Sequence, residues 1–207
     1  MNEAEAKAWL IDQFDVSRET LERLESYVAL VHHAQLSQNL VSATTLPNFW
    51  ARHIVDSAQL ILLARAGNWL DIGSGAGIPG IVTALITGAD TILVEPRARR
   101  ADFLRSTAEA LDLDCVAVVA TSVQRLPVTP FDNITARAVA ALPALLEMAL
   151  PFAHANTTWL LPKGKSAKSE LASLSRAWQG MWTMHPSITD PDSLILVGRD
   201  VKAVGKR

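Results

Sequence analysis

Cysteine is almost absent. Cys115 is the only one in 207 residues, so no disulfide can close within the chain and no thiolate pair is available to a metal. It lies in the apolar run Cys115-Val116-Ala117-Val118-Val119, which predicts a buried structural thiol. No stretch shows metal-ligand spacing, and no metal is expected. The N-terminal residues lack a basic segment followed by an apolar one, so a secretory signal is not expected either. Long apolar runs are missing too. The most apolar stretch, 138–162, carries Glu147 and is broken by Pro143 and Pro151, which excludes it as a membrane span. Internal repeats and low-complexity tracts are absent. These gaps point to a cytoplasmic protein, expected as a monomer.

Net charge is also small, at −2, which argues against indiscriminate binding to nucleic acid. Its distribution is uneven. Residues 1–25 hold seven acids and three bases, residues 97–105 four arginines and one Asp, and residues 138–207 eight bases and five acids. A locally basic face on a weakly acidic chain suits a selective RNA partner, although scattered solvated charge gives the same counts.

What is present describes one well-filled core. Hydrophobic residues make up 49% and charged residues 19%, and the length suits one α/β domain with a small accessory segment. Residues 3–36 read as helical, with Ser17 able to cap an apolar face of Leu21, Leu24, Val28 and Val31. Residues 39–45 read as a loop, and Pro47 opens a further helix running to Leu63. In that helix Arg52 and Asp56 are four apart, as are His53 and Ser57, so each pair shares a stripe. An exposed Arg52–Asp56 ion pair beside an incidental histidine is the plain expectation.

From Trp69 onward strands and helices alternate. Strands are predicted over 69–72, 91–95, 115–120, 131–136 and 157–161, with helices over 79–87, 97–111 and near 142–150. Residues 181–184 and 194–197 supply a closing antiparallel pair, with the turn between them at 187–193. This pattern predicts a Rossmann-like, mostly parallel seven-stranded sheet covered on both faces, with ligands beyond the carboxyl ends of its strands.

The first strand end is the most informative stretch: Asp71-Ile72-Gly73-Ser74-Gly75-Ala76-Gly77-Ile78-Pro79-Gly80. Glycines there permit positive φ and close approach of a ligand to the backbone, and Pro79 suits a first helical turn. Glu95 ends the next strand, placed to hold both hydroxyls of a ribose. The overlapping Gly75-x-Gly77-x-x-Gly80 also fits a nicotinamide cofactor, which leaves an oxidoreductase open. Asp71, acidic where dinucleotide-binding turns have an apolar residue, favours S-adenosylmethionine. After the third strand, Val123 and Gln124 can embrace an adenine. After the fourth, Arg137 points into the cleft, and after the fifth stand Lys163 and Lys165.

Two devices of base methylation are missing. No Asn/Asp-Pro-Pro-aromatic loop follows the fourth strand, where Arg137-Ala138-Val139 stands, and no Pro-Cys nucleophile is found there. Methylation of amino nitrogens and base carbons is therefore disfavoured. An acceptor with a free lone pair, such as guanine N7, needs neither device and requires only alignment. Arg52, Arg99, Arg137 and Lys163 are candidates to hold phosphates or the guanine edge. A small-molecule methyltransferase remains the alternative.

Taken in order, Asn39-Leu40-Val41-Ser42, Arg52-His53-Ile54-Val55-Asp56-Ser57, the Asp71–Gly80 loop, the arginine-rich stretch leading to Phe103-Leu104, Phe131-Asp132…Arg137-Ala138 and Lys163-Gly164 resemble the bacterial glucose-inhibited division protein B family, the guanine-N7 methyltransferases of 16S ribosomal RNA. The resemblance runs from about residue 20 to 200, and its Arg-His-Ile-x-Asp-Ser segment is its most specific part. It implies a class I methyltransferase domain over 67–207 with an N-terminal helical extension over 1–66 packed on it. It also implies S-adenosylmethionine as cofactor and 16S ribosomal RNA or the small-subunit particle as partner. Cofactor contacts then fall on Gly73, Ile78, Val123, Gln124 and Arg137, beside Asp71, Gly75 and Glu95. His53, Arg137 and Lys163 are the implied catalytic residues, and Arg52, Arg99 and Lys165 the RNA contacts. Ser122 and Gln124 depart from the arginine and acidic residue that the family often carries in that loop.

Overall fold

The side-chain oxygen of Asn2 accepts the Glu5 N–H while the Glu5 carboxylate accepts the Asn2 N–H. This reciprocal cap starts α1 (Glu3–Phe14). Asp15 ends it in a left-handed conformation at φ 48°, and Ser17 Oγ accepts the Thr20 N–H to start α2 (Arg18–Gln35). The region expected to be helical over 3–36 is thus two helices, with a break at Asp15 and with Ser17 as the expected cap of the second. The computed structural model describes residues 1–174 and 177–204. Three of the eight bases counted in 138–207, Arg176, Lys206 and Arg207, lie outside the described residues.

The helix expected from Pro47 to Leu63, together with the end of the loop before it, forms four short pieces. A 3-10 turn, Ala43–Asn48, contains Pro47; a π-helical segment, Trp50–Val55, follows; then come α3 (Asp56–Ala58) and a second 3-10 turn, Ile61–Leu63. A π turn is wider than an α turn, so residues four apart in 50–56 no longer stack.

The sheet follows the predicted alternation. Its strands are β1 (Trp69–Ile72), β2 (Thr91–Val94), β3 (Val116–Val119), β4 (Phe131–Ala136), β5 (Ala153–Gly164), β6 (Trp178–Pro186) and β7 (Leu194–Ala203). Their spatial order is β3-β2-β1-β4-β5-β7-β6. The first five in chain order run parallel, and β7 is antiparallel to both neighbours. The closing pair is longer than the tetrapeptides suggested. Helices α4 (Gly80–Thr87), α5 (Ala98–Ala110), α6 (Leu142–Ala149) and α7 (Ala167–Ala172) connect the strands.

Two apolar layers hold the sheet. On one face Ala6 and Leu10 of α1 and Leu24, Tyr27 and Val31 of α2 share a core with Ile81, Val82 and Leu85 of α4 and Leu104 of α5. On the other, Leu142, Leu145 and Leu146 of α6 pack with Leu70, Ile134 and Trp159. Trp159 is fully buried, a side chain whose burial stabilises the fold by roughly 1.5–3 kcal/mol or more. Cys115 departs from its expectation. It is only half-buried, because it precedes β3, an edge strand with a single neighbour. Among the described residues no helix is long and apolar enough to cross a membrane.

Register fixes the site. Ile72 stands opposite both Val94 and Ala136, so the next residues of the three strands, Gly73, Glu95 and Arg137, leave the sheet side by side. The chain changes direction of winding between β1 and β4, the switch point where α/β sheets open a crevice.

Candidate active site

The glycine loop is held from beneath. Gly75 has φ 57°, and a Cβ there would meet nothing nearer than 3.8 Å, so its requirement is conformational. At Gly80 the requirement is space. A Cβ would stand 2.2 Å from Leu93 Cδ2 and 2.8 Å from Asp71 Oδ2. That closeness lets the Gly80 N–H donate to Asp71 Oδ2 at 3.2 Å. Pro79 occupies the cap position of α4. Tyr27, the only tyrosine of the chain, is buried and donates its hydroxyl to Ala76 O at 2.8 Å. Glu95 is buried as well. It accepts the Gly75 N–H at 3.0 Å and the Arg97 N–H at 2.9 Å, one on each carboxylate oxygen.

Asp71 also accepts Thr135 Oγ1–H at 2.9 Å. Burial pushes its carboxyl up to about 6, against the hydrogen bonds from Thr135 and Gly80 that favour the anion. The native state then binds a proton more readily than the unfolded chain. Protonation therefore supports the fold fully below about pH 4 and that support fades as pH rises through about 6, a span worth roughly 3 kcal/mol. Asp71→Asn should remove this contribution. Across thermal melts from about pH 4 to about pH 7, the wild-type midpoint should fall relative to that of the variant as pH rises, whatever the slope that His53 and other groups give both proteins; a difference that does not change with pH would refute the assignment.

Beyond the end of β4 lies a cleft of about 770 Å³. The structure brings four of the expected residues to it: Arg52, His53, Arg137 and Lys163. Arg137 Nη2 donates to His53 Nδ1 at 3.2 Å, and Nη1 lies 3.9 Å from Asp56 Oδ2. The guanidinium side chain keeps 26% of its surface exposed, open to a ligand in the cleft. His53 is buried, and its pKa is held down at about 3 by burial and by the charges of Arg137 and Arg52. It is a neutral imidazole. The expected Arg52–Asp56 pair does not form. Within the widened π turn Arg52 instead meets Asp190 at 2.8 Å. Asp56 Oδ1 accepts from Ser187 Oγ at 3.0 Å, Thr189 Oγ1 at 2.7 Å and Gln59 Nε2 at 2.8 Å. The turn between β6 and β7 is thereby docked against the π segment.

Lys163 is largely buried, and its Nζ donates to Ala140 O at 2.8 Å and meets Glu170 Oε2 at 2.9 Å. Glu170 Oε2 also accepts the Leu142 N–H at 2.9 Å, and Oε1 the Ser166 hydroxyl at 2.7 Å. Burial raises the Glu170 pKa, but these hydrogen bonds more than offset that and hold it below the ordinary carboxylate value. Lys163 and Glu170 thus hold the corner at 138–142 at its middle, Ala140 O, and at its far end, the Leu142 N–H. Within it Ala138 takes the strained φ of 56°, and Val139 packs so closely on Gly73 that a Cβ there would lie 2.6 Å from Val139 Cγ2. Val139 also lines the cleft, so this corner joins the glycine loop to the acceptor side.

The remaining expected residues lie apart. Ile78 and Val123 are buried, whereas Gln124 is exposed in the 3-10 turn Val123–Arg125. Arg99 donates to Ser37 O at 3.3 Å beside a separate shallow groove with Arg97 and Arg100. Lys165 is exposed and pairs with Asp192 at 2.8 Å. Sequence reasoning missed Thr45, Glu170, Thr135 and Asp190. Thr45, Thr135 and Asp190 meet partners 8, 64 and 138 positions away, and Glu170 ties nearby Lys163 to Leu142 28 positions away; no local period marks them. Tyr27 carried a usable signal, as a phenol on an apolar helix face that must find a buried acceptor.

Residues 20–190 match the family described as GidB, rRNA small subunit methyltransferase G. Ribosomal RNA small subunit methyltransferase G of Rhizorhabdus wittichii is 45% identical, covering 100% of this chain and 96% of its own length. That of Zymomonas mobilis is 41% identical, covering 97% and 95%. Among solved structures, an O-methyltransferase from Bacillus cereus in complex with SAH shares the fold with a TM-score of 0.58 at 20% identity, over 93% of this chain and 96% of that one. The chain belongs to the rRNA small subunit methyltransferase G family.

Proposed function

We propose that this protein transfers a methyl group from S-adenosylmethionine to N7 of one guanine in 16S ribosomal RNA. The observation that carries this reading is the joining, through Val139 and Arg137, of a glycine loop flanked by Glu95 to a cleft with ample room for a base. The residues fit the donor. Each oxygen of the Glu95 carboxylate takes one backbone N–H and keeps a lone pair free for a ribose hydroxyl. Gly73 and Gly75 present bare backbone, and Asp71 fixes the loop from below. When bound, the donor supplies a methyl group made electrophilic by its sulfonium.

Guanine N7 carries no proton, so this chain needs to orient and exclude water rather than to provide a base. His53 accords with that. Its Nδ1 is engaged by Arg137 and its basicity is suppressed, so its role is to hold the guanidinium. Arg137 is the group placed to meet the guanine O6 or the donor's methionine end. Lys163 acts on the 138–142 corner, and Ile78, Val123 and Gln124 border the donor. Arg52, Arg99 and Lys165 are assigned to RNA phosphates; Arg52 and Lys165 exchange their carboxylate partners when RNA arrives. We assign residues 1–66 as a helical extension of the methyltransferase domain, and the protein as a cytoplasmic monomer without metal.

Purified protein incubated with labelled methyl donor and with naked, precursor or mature small-subunit substrates from a strain lacking the modification should yield 7-methylguanosine on digestion. Absence of that nucleoside from every substrate, or calorimetric binding of NADH without binding of S-adenosylhomocysteine, would overturn the reading.

A further inference from the structure

His53 can take two neutral tautomers, and its surroundings decide between them. On one side, Arg137 is always protonated and can only donate, so the Nδ1 it meets at 3.2 Å must be bare. On the other side, His53 Nε2 lies 2.8 Å from Thr45 Oγ1. A hydroxyl carries one proton, and that of Thr45 is given to Ser42 O at 2.8 Å. Thr45 Oγ1 is therefore left as an acceptor, which demands a proton on Nε2. Both ends of the ring require the same tautomer.

We propose that Thr45 is a positioning residue for methyl transfer: by accepting from His53 Nε2–H it fixes the tautomer whose bare Nδ1 orients Arg137 in the cleft. The chain of donors runs one way, from Arg137 through His53 and Thr45 to Ser42 O. Thr45 and His53 both line the cleft, yet the ring is buried between Phe49, at 4.7 Å between centroids, and the threonine. No freedom to flip remains without leaving an N–H unpaired. The second half of the inference, that this orientation sets turnover, rests on the function proposed above.

The tautomer is read from the nitrogen resonances of the His53 imidazole in labelled full-length protein, where a bare and a protonated ring nitrogen are well separated. Wild type should show Nδ1 bare and Nε2 protonated as a single form; a proton on Nδ1 would overturn the proposal without any variant. Thr45→Val should mix the tautomers and lower kcat/KM for the RNA about tenfold, the effect of one lost orienting hydrogen bond. Thr45→Ser, which retains the hydroxyl, should restore both the single tautomer and most of the turnover. A Thr45→Val protein with the wild-type tautomer and wild-type turnover sinks the idea. Should wild type methylate no RNA, the function fails while the resonances still decide the relay.

Discussion

Arg137→Ala is expected to lower 7-methylguanosine formation about 10²–10³-fold, the range found when a preorganised charged donor is removed from a reacting centre. Three observations give the arginine this weight. It leaves the sheet beside Gly73 and Glu95, its guanidinium is fixed by His53, and a quarter of the side chain faces the cleft. Its contribution to the fold is small by comparison. The contact with Asp56 is long at 3.9 Å, and Asp56 keeps three other donors. The variant should melt within a few degrees of wild type. Arg137→Lys should recover only part of the loss, since an ammonium cannot reach His53 and the cleft with the planar fork of a guanidinium. Single-turnover methylation compared with circular-dichroism melts checks both halves. Activity above about a tenth of wild type in the alanine variant would remove Arg137 from the reacting centre.

Lys163→Met should act differently, lowering stability and activity together. The lysine stands between Glu170 and Ala140 O, and losing a charged hydrogen bond at such a site costs about 1.5–3 kcal/mol. For a chain of this size that corresponds to a melting point lower by roughly 3–12 °C. Release of Ala140 loosens the corner that carries Val139, so methylation should drop about tenfold. Glu170→Gln discriminates a structural grip from direct contact with RNA. If the lysine works through the corner, Glu170→Gln should reproduce its phenotype and the double variant should be little worse than either single one. If Lys163 touches RNA itself, Glu170→Gln frees it and activity should hold or rise.

What the sequence made legible was local. Gly73, Gly75, Gly77 and Gly80 are read directly, because backbone conformation and lack of space leave no other residue type. Glu95 and Arg137 follow from strand ends, since apolar runs such as Thr91–Val94 mark where a buried strand stops. The 49–63 region was misread because its apolar residues fit an α-helical period well enough. Nothing in Trp50-Ala51-Arg52-His53-Ile54-Val55 announces a wider turn. Asp190, Glu170 and Thr135 escaped for another reason: Asp190 and Thr135 meet Arg52 and Asp71 through the fold, and Glu170 ties nearby Lys163 to the Leu142 N–H 28 positions away, and a single chain carries no period at such distances. Cys115 was misplaced because an apolar run does not say whether its strand has one neighbour or two.

The π segment has a consequence for how this protein can vary. It behaves as an α-helix holding one surplus residue, and each residue added or removed turns what lies beyond by about 100°. Deleting any single position in 50–55 would put the helix back in ordinary phase, and Arg52–His53 and Asp56 could no longer face Arg137 and the β6–β7 turn together. Substitutions along this segment meet local, graded penalties. A change of length meets an all-or-none one, because the first quarter of the chain and its last hairpin are keyed to each other through the angular offset of one helical turn.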